Sequence, residues 1–295
     1  MATNNVTMPS PSPLKISTIT ATAMLDVSVN LDAFFDGLKI RSHLGVDGIE
    51  YAEYGVKKGE ARRKPELAAP EGLSPTNKNG KPRRGAREKK RFDNQVTVIV
   101  RHGGGGVQKA NAKVFRNGHI QITGLKSVED GMSVVRVIVD AMEAMPGGES
   151  KLMCKDYRVR LINSDFRLGF EVRRDALQRL AAHKYRLPCS FEPCIYPGCK
   201  IQFWYNKNNA KKDGRCGCME NCDGKGSGKG DGQCKKVTIA VFHSGSVIIT
   251  GGQSRDQIDE AYAFICGCVA DNYETVRRSN QDALMALMAS IVTQH

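Results

Sequence analysis

The sequence predicts an α+β fold: two pseudo-symmetric repeats that form one curved antiparallel sheet backed by helices. Three observations carry this. The phrase VFRNGHIQITG, residues 114–124, returns as VFHSGSVIITG, residues 241–251. Each copy is followed by a Ser in helix-capping position and a long amphipathic stretch. Upstream of each copy the same order recurs, a strand, a short helix and further strands. A period this long, present only twice, does not fit a solenoid.

The elements follow in chain order. LKISTITATAMLDVSVNLDAFFDGL gives an alternating Thr-rich strand over Ile16–Thr22 and a helical patch over Leu31–Leu38. Strands are predicted at Gly48–Tyr54 and Val96–His102. The first copy then alternates Val114, Ile120 and Ile122 about an Arg-Asn-Gly turn, the pattern of a tight hairpin. Ser127 opens a helix that sets Val134, Val135, Ile138, Val139 and Met142 on one face. The second half repeats the order. A strand is predicted over Arg158–Asn163, a helix from about Arg173 to His183, and strands at Lys200–Tyr205 and Lys236–Phe242. The His-Ser-Gly hairpin follows, then a helix after Ser254 carrying Ile258, Ala261, Phe264, Ile265 and Cys268. The division is a flexible tail at 1–13, repeats at 14–146 and 151–272, and a helical extension at 273–295 that includes an amphipathic stretch from Gln281.

Charge narrows the function classes. The net +13 favours polyanionic partners, nucleic acid first. Most of it is local, since Lys57–Arg91 holds thirteen Lys/Arg against four Glu. That insertion is rich in Pro, Gly and charge, lacks an apolar period, and is expected to be disordered. It can reach flanking phosphates, and GKPRRGAREKKR also fits a nuclear import address. No run approaches the ~20 apolar residues that cross a bilayer. The first residues do not read as a secretory signal, so the ten cysteines are expected as thiols or metal ligands. A second insertion, residues 206–236, contains Cys216, Cys218, Cys222 and Cys234 in C-x-C-x₃-C-x₁₁-C spacing. Four thiolates in a loop with no core of its own fit a structural zinc, against the alternative of free surface thiols. No other cofactor is implied. Gly103–Gly106 lacks the Lys-Ser/Thr of a phosphate loop, and no catalytic set stands out, so no enzymatic activity is expected.

From about Leu14 to Val269 this pattern resembles the TATA-binding protein family. The duplicated hairpin phrase carries the likeness together with FEPCIYPG at 191–198 and EYAEYG at 50–55. Its divergence is closer to the family members of large DNA viruses. The family is a standard example of minor-groove binding with apolar wedges. The resemblance implies a transcription initiation factor that binds and bends AT-rich double-stranded DNA. It also implies work in the nucleus or a viral factory, with a transcription factor IIB-like protein and RNA polymerase machinery as partners. The wedges would be Phe115, Phe242 and Tyr196, with a fourth at Phe92 or Gln95, Phe92 preferred.

The groove-facing surface would be Ile16, Thr18, Gln121, Thr123, Leu161, Asn163, Ile248 and Thr250. The family's central Asn positions hold Ile16 and Leu161 here, which weakens hydrogen-bond readout and leaves DNA shape as the main selector. Phosphate contacts would come from Lys90, Arg91, Arg101, His119 and Lys126. The second half has Gln202, Ser246 and Gln253 in the corresponding places, so the first half is expected to grip harder. The partner-binding loop would present Glu192, Cys194 and Ile195, with Cys194 where the family has an acid. A rival reading keeps the fold without initiation activity, as an architectural or RNA-binding module.

Overall fold

The structure, a computed structural model, describes residues 7–41, 45–55, 62–64, 94–104, 107–145 and 151–279. The elements are β1 (Lys15–Leu25), α1 (Leu31–Gly37), β2 (Gly48–Tyr54), β3 (Arg62–Lys64), β4 (Gln95–His102), β5 (Gln108–Phe115), β6 (His119–Leu125) and α2 (Val128–Glu143). Then come β7 (Cys154–Arg167), α3 (Arg174–His183), β8 (Cys189–Ser190), β9 (Cys199–Tyr205), β10 (Lys235–Val241), β11 (Ser246–Gly252), α4 (Arg255–Ala270) and α5 (Tyr273–Val276). The chain forms two compact units, Ile19–Arg160 and Leu161–His295 with Met1–Thr18.

In the unit Ile19–Arg160 the antiparallel order is β3-β2-β4-β5-β6-β1. Strand alternation decides which side is core. Val96, Val98 and Val100 on β4, Ala110, Ala112 and Val114 on β5, and Ile120 and Ile122 on β6 are all buried. They pack beneath α2, which inserts Val134, Val135, Ile138 and Met142. Val139, expected in that stripe, is only partly buried. Helix α2 begins with a capping box. The amide of Asp130 donates to Ser127 Oγ at 3.1 Å, and Asp130 Oδ2 accepts from the Ser127 amide at 2.8 Å.

In the other unit the order is β7-β11-β10-β9-β8. Phe203, Val237, Ile239, Val247 and Ile249 form the buried side under α4, whose Ile258, Ala261, Ile265, Cys268 and Val269 face inward. Phe264 is partly exposed and packs edge-on against Tyr185, while Val269 fills the position nearer the sheet. Ser254 sits at the cap but makes no side-chain cap bond. Just ahead of the helix, Gln257 Oε1 accepts from the Gln253 amide at 2.7 Å.

The hairpin turns are built alike. Gly118 has φ +78° and Gly245 has φ +76°. Each turn is tied to the chain that enters its own unit by the same two backbone hydrogen bonds. Leu25 N donates to Gly118 O (3.0 Å) and Val29 N to Arg116 O (2.8 Å). Leu168 N donates to Gly245 O (2.9 Å) and Val172 N to His243 O (2.8 Å). The duplication seen in the sequence is thus also a duplication of contacts.

Two expectations need correction. The insertion from Lys57 to Arg91 is not structureless throughout. Arg62–Lys64 pairs with β2 as β3. Arg62 pairs with Asp36 and lies 4.7 Å over the Phe35 ring, and Lys64 Nζ donates to Asp36 O at 2.7 Å. Three consecutive cations make a strand here because acidic and aromatic partners from α1 receive Arg62 and Lys64, and Glu53 of β2 pairs with Arg63. The rest of that insertion lies outside the described residues, as does the stretch from Gln281. The end of the N-terminal tail is also held. Ser12 N donates to Arg167 O, Ser12 Oγ accepts from Arg167 N, and Ser12 O accepts from Tyr262.

Candidate nucleic-acid interface

The side of each sheet away from its helices carries the candidate site. Residues directly opposite across an antiparallel ladder share a face, so the register defines it. In the unit Ile19–Arg160 the pairs are Gln95↔Phe115, Thr97↔Lys113, Ile99↔Asn111 and Arg101↔Lys109, then Asn111↔Thr123, Lys113↔Gln121, and Thr22↔Gln121. In the other unit the pairs are Gln202↔Thr238, Lys200↔Ala240 and Trp204↔Lys236, then Thr238↔Thr250, Ala240↔Ile248, Thr250↔Asn163, Ile248↔Asp165 and Ser246↔Arg167. Short uncharged side chains predominate at the centre of both faces. Of the expected groove residues, Gln121 and Thr123 fall on the first of these faces and Asn163, Ile248 and Thr250 on the second. Ile16, Thr18 and Leu161 are partly exposed on β1 and β7.

The rings stand at the hairpin edge of these faces. Phe115 is partly exposed, with the His119 ring 5.5 Å away. Phe242 and Tyr196, also partly exposed, have centroids 5.8 Å apart at 57°. Gly198 lies beneath that pair. A Cβ there would come within 2.7 Å of Tyr196 and 3.3 Å of Phe242, so only glycine leaves room for both rings. Lys200 Nζ sits 4.0 Å from the Tyr196 centroid and places a cation at the edge of the pair. Gln95 stands across from Phe115, whereas Phe92, Lys90 and Arg91 lie outside the described residues.

Charge on the two faces is more even than the sequence led one to expect. Arg101 is ion-paired with Glu50, which also accepts Lys109 Nζ at 2.7 Å. The Lys109 ammonium, with Arg101 beside it, holds the Glu50 carboxyl below its ordinary value, so one carboxylate offsets part of two cations. Lys113 adds a cation on the same face. The other face carries Lys200, Lys236 and Arg167, which stand beside the expected neutral Gln202 and Ser246, and one exposed acid, Asp165, bonded by the Ser17 hydroxyl. Sequence reasoning missed these three cations and Trp204. Strand phase counted from Phe242 and Cys199 would have found Lys236, Lys200 and Trp204, and counted from Asn163 would have found Arg167. His119 is partly exposed, while Lys126 and Gln253 lie at the turns entering α2 and α4.

The turn preceding β9 closes through Glu192 O, which accepts from Ile195 N and Tyr196 N at 2.9 Å each. That turn leaves Glu192 and Cys194 exposed and Ile195 79% exposed. Arg174 braces it from α3, stacking 4.7 Å over Phe191 and donating to Pro197 O. In the loop between β9 and β10, the structure brings Cys216, Cys218, Cys222 and Cys234 together, with all four Sγ atoms within 4.8 Å of one another. Cys199 and Cys268 are buried in the sheet–helix core, and burial pushes their thiols up to about 12 and about 11.

The chain is similar to several known proteins. Residues 156–271 match the family model for transcription factor TFIID, or TATA-binding protein. A TATA-box-binding protein-like chain of Acanthamoeba polyphaga mimivirus is 26% identical over 283 residues, which cover 90% of this chain and 67% of that one. A solved Methanococcus jannaschii TATA-binding protein aligns over 89% of this chain and 99% of its own, at 16% identity and a TM-score of 0.46. The second half of the chain is thus similar to the TATA-binding protein family model, and the first half is built on the same hairpin–helix plan.

Proposed function

We propose that this protein is a transcription initiation factor that binds AT-rich duplex DNA through the minor groove and bends it. The observation that carries the reading is the placement of Phe115 and of the Tyr196–Phe242 pair. These partly exposed rings stand at the edges of faces lined by Thr, Gln, Asn and Ile. A large ring held at a rigid turn can enter a base step, and the unstacking it costs is offset by added contact with the bent duplex. Asn163 Oδ1 accepts from Thr250, so its amide nitrogen is the end directed to donate to base acceptors. With Ile16 and Leu161 in the family's central positions, selection would rest mainly on deformability.

Ladder arithmetic leaves the fourth wedge open between Phe92 and Gln95. Val96 pairs with Val114 as Cys199 pairs with Val241, so Gln95 corresponds to Gly198. The counterpart of Tyr196 then falls two residues before Gln95, at Asp93, between the two candidates. The exposed Glu192–Ile195 turn would receive a transcription factor IIB-like protein, with Ile195 as the apolar contact.

Asp165 favours a second reading, a module of this fold that has given up promoter binding for architectural or RNA work. An exposed carboxylate opposite Ile248 repels the phosphate-flanked groove. A mobility-shift comparison on AT-rich duplex, GC-rich duplex and structured RNA separates the two. The first reading predicts AT-rich duplex as the tightest ligand, and structured RNA bound more tightly than any duplex would replace it with the second.

A further inference from the structure

We propose that Cys216, Cys218, Cys222 and Cys234 hold one zinc ion as four thiolates, and that the ion fixes the loop joining β9 to β10. The four Sγ atoms lie within 4.8 Å of one another, and Cys216 and Cys222 approach to 3.5 Å. Four sulfurs at ~2.3 Å from a tetrahedral ion stand ~3.8 Å apart, which matches this cluster. A disulfide needs sulfurs at about 2.05 Å, well inside the observed separation. A soft, all-sulfur tetrahedral set selects zinc over the hard cations.

The loop gives a reason for the ion. Between Tyr205 and Lys235 its only apolar residues besides cysteine are Ala210 and Met219, and Met219 is 88% exposed. Hydrophobic burial therefore does not hold it. The cysteines do converge, and they tie the loop to the sheet because Cys234, buried, immediately precedes β10.

Surrounding groups suit a charged cluster. Asn206, 1% exposed at the end of β9, donates Nδ2 to Cys218 Sγ at 3.0 Å, while its Oδ1 accepts from Asn208 N at 2.9 Å. An N–H aimed at sulfur stabilises thiolate and orients the ligand. Asp231 gathers the opposite side, accepting from Met219 N at 3.1 Å and from Asn208 Nδ2 at 2.9 Å. Gly230 passes so close that an added Cβ would lie 2.9 Å from Cys218 Sγ and 3.1 Å from Cys222 Cβ, at φ +88°. None of these groups belongs to the face proposed for DNA, so the metal and DNA readings stand or fall separately.

The test uses the full chain, purified without a metal-affinity tag under reducing conditions. Elemental analysis is expected to give about one zinc per chain, and cobalt exchange to give the intense visible bands and sulfur charge-transfer of a tetrahedral tetrathiolate. Cys216→Ser with Cys222→Ser should abolish both signals, while Cys194→Ser leaves them unchanged. Because the double variant can misfold, the wild-type chain is also stripped with a chelator. Tryptic cleavage after Lys225 and Lys229 is then expected to quicken by at least ~10-fold with the far-ultraviolet spectrum preserved. A chain that neither contains nor takes up zinc, that carries a Cys216–Cys222 disulfide when purified under reducing conditions, or that holds iron instead would overturn the proposal.

Discussion

Tyr196 and Phe242 form a tilted ring pair across Gly198, with centroids 5.8 Å apart. The pair is assembled from two elements far apart in sequence, the turn before β9 and the end of the β10–β11 hairpin. Its geometry depends on the missing side chain between them.

Gly198→Ala tests that dependence. The new methyl would meet Tyr196 at 2.7 Å, and a ring that moves off can no longer enter a base step in the same pose. Thermal stability should fall only modestly, because the rings are partly exposed and can swing outward, while DNA bending is lost. Bending equal to wild type would show that the rings do not act as a set pair.

The hairpin glycines make a different prediction, about stability. Gly245 has φ +76°, and an added Cβ would lie 2.1 Å from Phe170 O, a backbone atom that cannot move aside. Gly245→Ala should cost ~2 kcal/mol or more in urea unfolding. Gly118→Ala, whose Cβ would meet Val27 O at 2.3 Å, should cost a similar amount if the two turns are equivalent.

Much of this was legible in the sequence. β2 was predicted with its observed ends, and the hairpins, the Ser127 cap and the two long helices followed from alternation, Gly turns and 3.6-residue spacing. What was not legible depends on partners distant in the chain. Arg62–Lys64 looked like part of a solvated charge run because Asp36 and Phe35, which receive it, lie well upstream. Arg101 looked like a clean phosphate contact because Glu50, its partner, sits on a strand paired from 51 residues away. The cysteine cluster was visible from spacing, but Asn206 beneath it was not, since nothing local marks an Asn as a sulfur donor.

Glu50 supplies a prediction in pH and salt. Lys109 and Arg101 depress its carboxyl pKa below the ordinary 4.5. Its stabilising contribution is therefore fully present above that value and is lost as pH falls through the lower folded value. Glu50→Gln should flatten the acid limb of the stability curve below the ordinary carboxylate pKa. In the DNA reading it also frees positive charge, so affinity should rise and the slope of log K against log salt should steepen by about one. An unchanged slope would mean that Arg101 and Lys109 do not reach phosphates.

Asp165→Asn probes the face of the other unit. Removing the one exposed acid beside Ile248 should tighten binding to AT-rich duplex several-fold at low salt, with the gain shrinking as salt rises. Trp204, the single tryptophan, lies on that same face across from Lys236 and reports occupancy by its emission. A variant with unaltered affinity would place Asp165 outside the bound surface.

The most direct measurement is DNA bending by fluorescence resonance energy transfer on an AT-rich duplex labelled at both ends, with wild type and with Phe115→Ala plus Phe242→Ala. Wild type should bring the ends together, and the double variant should bind with the ends left apart. Equal end-to-end approach by both proteins would contradict the account at its centre.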